Sequence, residues 1–173
     1  MFEEFIGGSA FKILLEYLRS PETHLAVIVP GILSLAILGF YSRLGRISQR
    51  LQLLWVFALA IAFYSAHWDV SEDMQRLYVY SAFSVTCAML LFNRMYISPP
   101  LAYALTFLSL WWVDVTRAFC FALECGRPLE EFYVGVGGAG LLDALFIMPL
   151  LTAAVVGYAG ARLKCQRTPM LAI

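Results

Sequence analysis

The chain has 173 residues, of which 61% are hydrophobic and 14% charged, and its mean hydropathy is +0.77. A soluble domain of this size carries nearer a quarter charged residues and has too little interior to hide so much apolar side chain. The formal charge is zero, from 12 basic and 12 acidic residues, so no global field points to a polyanionic partner. An ordinary soluble enzyme, a disordered chain and a nucleic-acid-binding domain are excluded. An all-α polytopic membrane bundle is the expectation.

Residues 1–22 read as an amphipathic interfacial helix. Phe2, Phe5, Ile6, Leu14, Leu15 and Leu18 fall near one helical face. Glu3, Glu4, Lys12, Glu16 and Arg19 populate the other face, with a hinge expected at Gly7-Gly8 and a break at Pro21. The acidic start and the lack of a matched apolar core and cleavage site argue against a signal peptide. Two uses stay open: lying in the outer membrane interface, or docking on a partner or second protomer.

Five apolar segments follow, at about 24–42, 51–67, 77–92, 100–123 and 134–161. A hydrocarbon core of roughly 30 Å needs about 20 apolar residues of helix, and the third segment is the shortest fit. Lipid offers backbone polar groups no partner, so helix is the expected element throughout. Residues 23–163 therefore form the transmembrane bundle and 164–173 a short tail. Pro30-Gly31 and Pro149 should bend the first and fifth spans. Ile97-Ser98-Pro99-Pro100 should break the chain before the fourth.

Charge sets the orientation. The loops on one side hold Arg43, Arg46, Arg50, Arg94, Arg162, Lys164 and Arg167 and no acid. The opposite side holds Lys12, Arg19, Arg76 and Arg127 with ten acids, among them Asp69, Glu72, Asp73, Glu124, Glu130 and Glu131. Positive charge stays cytoplasmic, so the N-terminus is expected outside and the C-terminus inside. Arginine outnumbers lysine ten to two and the loops are short, which suits a bacterial inner membrane. The 43–50 turn is a candidate contact for anionic lipid or an acidic partner through Arg43, Arg46 and Arg50.

Asp114, Arg117 and Asp143 fall inside predicted spans, where a charge costs several kcal/mol and commonly marks function. At 1.5 Å per residue, Asp114 and Asp143 each lie ~13 Å from the outer edge, in one layer. Asp114 and Arg117 are three apart on one helix and Asp143 completes the cluster. It reads either as an ion-pair clip, as a site for a proton, cation or ligand, or as a contact across an oligomer interface. Gly135 and Ala139 lead down one helical row to Asp143, and Ala153, Gly157 and Ala161 form another. Such small-residue rows permit close helix packing, within a protomer or between protomers.

Trp55, Trp68, Tyr78 and Tyr96 fall near span ends, as interfacial anchors do, whereas Trp111-Trp112 lies deeper, against the Asp114 layer or facing lipid. His24 and His67 read as interfacial. Cys87, Cys120, Cys125 and Cys165 show no metal-ligand spacing, and no cofactor or metal is expected. A Cys120–Cys125 disulfide requires the fourth helix to end between them. The stretch Gly138-Ala139-Gly140-Leu141-Leu142-Asp143 misses the GxGD pattern of intramembrane aspartyl proteases by two residues. No nucleophile–base set or phosphate loop is present. The expected role is a non-enzymatic membrane subunit that self-associates, or anchors and senses for a partner. The alternative is a small transporter or channel subunit using the Asp114/Arg117/Asp143 layer.

Overall fold

The structure, a computed structural model, describes residues 27–65, 67–71, 74–78, 97–125 and 144–167. Four helices account for most of them: α1 (Val29–Arg43), α2 (Gln49–Ser65), α3 (Pro99–Cys125) and α4 (Ala144–Arg167). Between α2 and α3 lies a hairpin, β1 (His67–Ser71) and β2 (Met74–Tyr78).

Local chemistry sets the helix ends. Pro30 has no amide hydrogen and sits in the first turn of α1, where none is needed. The chain enters α1 through a widened π-turn at Val27-Ile28, so the distortion expected at Pro30-Gly31 falls at the helix entry. α1 closes on Gly45, whose φ of 63° is left-handed. The Gly45 amide donates to the Ser42 carbonyl at 3.0 Å and the Arg46 amide to that of Tyr41 at 3.1 Å. Those two bonds make a Schellman stop. Ser48 then caps α2, its Oγ accepting from the Leu51 amide at 3.2 Å. α3 starts on Pro99-Pro100, as the sequence predicts, with the Ala102 amide donating to the Ser98 carbonyl at 2.9 Å.

α3 is the axis, and the other three helices pack on it. Gly31 of α1 faces the Phe107 ring, whereas Leu38 and Tyr41 reach the cluster of Leu101 and Leu105, so α1 runs antiparallel to α3. On α4, Leu145 joins Phe107 and Leu110 while Gly157 meets Pro99, which is antiparallel again. α2 is parallel: Leu51 packs with Leu101, Ala62 with Val113, and Phe63 lies under Arg117.

The buried side is mostly apolar but also takes in polar side chains, and the outer faces are apolar as well. The inner positions include Ser34, Thr106, Ser109, Asp114 and Thr152, while large apolar side chains point outward. Leu53 is 70% exposed, Ile32 65% and Phe57 64%. Three helix hydroxyls bond within their own turns, Ser109 to the Leu105 carbonyl at 2.7 Å, Thr116 to that of Trp112 at 2.7 Å and Thr152 to that of Met148 at 2.8 Å, whereas the buried Ser34 and Thr106 hydroxyls have no such bond. Among the described residues one segment, Ala144–Arg162 of α4, is long and apolar enough to cross a membrane. α3 has the length, about 40 Å at 1.5 Å per residue, but carries Asp114 and Arg117. The described parts of α1 and α2, with 15 and 17 residues, fall short of about 20.

Two expectations are corrected, and a disulfide that the sequence leaves open is ruled out. The 68–76 loop is an antiparallel hairpin pairing His67 with Tyr78 and Asp69 with Arg76. Leu77 and Tyr78, expected to open the third span, belong to β2. Two five-residue segments so close in sequence pair at a cost in loop closure far below that of a long crossover. The Cys120–Cys125 disulfide fails because α3 continues through Cys125 and Cys120 is a free thiol. Five residues of continuous helix separate Cα atoms by more than a disulfide spans. The rest of the third span and residues 1–22 lie outside the described residues.

Candidate functional site

Two features meet on α3. The first is a polar stripe on the buried side of an otherwise apolar helix. Asp114 lies 11 residues before the helix end at Cys125, about 16 Å of rise, and is 9% exposed. One turn on, half-buried Arg117 stacks over α2, its guanidinium carbon 5.0 Å from the Phe63 ring centroid. At that distance the ring quadrupole attracts the cation and holds it against α2. Asp114 and Arg117 thus lie one turn apart on α3. Asp143, the third member, lies outside the described residues, as do Gly135 and Ala139.

The second feature was not anticipated from sequence. Trp55, Leu59, Leu108, Trp111 and Trp112 line a cleft of about 290 Å³ between α2 and α3. Of these residues Trp55 also bridges the two helices, its indole N–H donating to Ser109 Oγ at 2.7 Å. The Ser109 hydroxyl donates in turn to the Leu105 carbonyl at 2.7 Å. Trp55 is thus turned into the bundle, unlike the interfacial anchor expected of it. Trp111 is half-buried and Trp112 is 53% exposed, so the pair walls the cleft beside the Asp114 layer. The available signal was Trp55 and Ser109 each sitting mid-helix in an apolar run, where a polar atom needs a partner. Which partner required knowing that α2 and α3 lie side by side and parallel.

The second small-residue row is partly used within the chain. A Cβ on Gly157 would stand 3.4 Å from Pro99 Cγ, at van der Waals contact, so α4 packs on the start of α3 at this position and side chains larger than alanine would press on Pro99. Ala153 is half-buried and Ala161 exposed.

Arg43, Arg46 and Arg50 are exposed around the α1–α2 turn. Arg162, also exposed, lies near the end of α4, which the Gly157–Pro99 contact brings to the same end of the bundle. Among the described residues Asp69, Asp114 and Glu124 belong to the other half, and no group of three or more His, Cys, Asp or Glu side chains is placed to hold a metal. No family model, curated protein or solved structure matches the chain.

Proposed function

We propose that the chain is an integral inner-membrane subunit of five spans, non-enzymatic, that self-associates or anchors and senses for a partner protein. The observation that carries this reading is the filled axis. Phe107, Leu110, Val113 and Leu145 are each no more than 1% exposed, so the centre is packed side chain. A pore through one protomer would need that volume. Apolar faces on α1, α2 and α4 then meet lipid or a neighbouring helix, where van der Waals packing and small residues drive association.

The parallel course of α2 and α3 supports an odd number of crossings. Ser65 and Pro99 stand at opposite ends of the bundle, so one further crossing between them fits the count of five. Separation of Arg43, Arg46, Arg50 and Arg162 from the acidic half supports a cytoplasmic C-terminus and an external N-terminus. Cysteine labelling from outside then reaches introduced thiols at 68–76 and 124–133 and not at 43–50. Labelling at 43–50 reverses the orientation.

The test of the subunit reading is the size of the particle. Carbonate-washed membranes should retain the chain, and the mild-detergent extract should give a protein mass well above one 19.4 kDa chain. A monodisperse monomer that crosslinks to nothing in intact membranes refutes it. One observation favours a transport subunit as the second reading: Asp114 and Arg117 lie on the buried axis, where we propose that Asp143 joins them. Ion flux in proteoliposomes that disappears in Asp114→Asn would move the assignment there.

A further inference from the structure

We infer that the basic end of the bundle is a binding surface for anionic phospholipid headgroups, built jointly by the α1–α2 turn and the end of α4. The inference rests on the membrane reading above and adds Arg162 and Tyr158 to the three arginines of the turn. The turn is a fixed platform. Gly45 in its left-handed conformation, the paired Schellman bonds and the Ser48 cap leave little freedom between Ser42 and Leu51. Ile47 and Leu51 anchor it beneath, in the cluster with Leu101 and Val156. Arg43, Arg46 and Arg50 are held outward from this platform. From α4, the Arg162 guanidinium stacks over Tyr158 at 5.1 Å, and Tyr158 is 61% exposed.

Charge complementarity selects an anion, since no acid among the described residues lies at this end. The apolar neighbours select a lipid over an acidic protein. Phe40, Leu44 and Tyr158, each within four residues of one of these arginines, are exposed too, so this end of the bundle presents both cations and apolar side chains. A bilayer interface matches that combination, with phosphates at the guanidinium level and acyl chains just below. Arginine also meets phosphate through two parallel N–H bonds, which gives the headgroup a geometry as well as a charge.

The experiment equilibrates the purified full-length protein in mixed micelles with equal phosphatidylcholine and phosphatidylglycerol. The lipid retained through gel filtration is then measured. The wild type is expected to retain phosphatidylglycerol several-fold over phosphatidylcholine at low salt, with the excess shrinking as salt rises. An arginine near an anionic surface contributes up to about 1 kcal/mol, equivalent to about five-fold, so a several-fold preference needs only part of what four arginines can supply. R43Q/R46Q/R50Q/R162Q should bring the ratio of the two retained lipids down to about one, and the same four changes to lysine should keep most of the preference. If the quadruple glutamine variant loses its helical circular dichroism, the pairs R43Q/R46Q and R50Q/R162Q carry the comparison. Equal retention of both lipids by the wild type, or undiminished preference in the glutamine variants, overturns the inference. So does salt-sensitive binding of polyglutamate without any lipid preference, which would assign the surface to an acidic protein. Loss of the chain from carbonate-washed membranes would instead sink the membrane reading itself.

Discussion

The Trp55–Ser109 bond gives the sharpest test of the α2–α3 pairing. Ser109→Ala removes the acceptor of the Trp55 indole N–H at 2.7 Å and leaves that part-buried donor without its partner between α2 and α3. An orphaned buried donor costs about 1–3 kcal/mol. Trp55→Phe is asymmetric with this, because the Ser109 hydroxyl keeps its bond to the Leu105 carbonyl. Its expected loss is one ordinary hydrogen bond, about 0.5–1.5 kcal/mol, plus the indole's extra contact area. In the double variant nothing is orphaned. The two losses should therefore fall short of additivity by roughly 0.6–1.7 kcal/mol, the range known for hydrogen bonds between membrane helices. The assay is reversible unfolding in mixed micelles by titration with a denaturing detergent, followed by circular dichroism for the wild type, both singles and the double. Additivity within about 0.3 kcal/mol would refute the bond, and with it the parallel register of α2 on α3.

Other perturbations probe different contacts. Phe107→Ala empties the place where α1, α3 and α4 meet, and should lower unfolding free energy by about 3–5 kcal/mol in the same titration. Gly31→Ala should be neutral or stabilising by up to about 1 kcal/mol, because its Cβ would sit 3.6 Å from the Phe107 ring and alanine is the better helix former. Bulk at Gly157 should do the opposite: Gly157→Leu drives side chain into Pro99 and should cost about 1–3 kcal/mol, read as a lower melting temperature in detergent. Arg117→Ala removes the cation over Phe63 and a charge from the Asp114 layer, and should cost about 3–5 kcal/mol. Adding Asp143→Asn should restore part of that loss if the three residues form one cluster, and strict additivity would remove Asp143 from it.

Composition and patterning were sufficient for helix as the main element and for the break at Pro99-Pro100. They also placed Asp114 and Arg117 one turn apart on one helix. Those features depend on hydropathy over a window or on the local geometry of a few neighbouring residues, and both are written along the chain. The hairpin was missed because 67–78 is too short to give a period, and its pairing stabilises a conformation that neither segment favours alone. The Cys120–Cys125 question turned on whether a helix stops within five residues, which depends on what α3 packs against further along. The partner of Trp55 was hidden for a similar reason, since the sequence supplies a donor and an acceptor 54 positions apart with nothing local to join them. The role of Gly157 needed Pro99 beside it before it could be read as a packing contact within the chain. Sequence alone thus determined that the helices are apolar and where charge sits along them. Tertiary structure decided that α3 is the axis, because only the summed contacts of α1, α2 and α4 fix which face of each helix is turned inward.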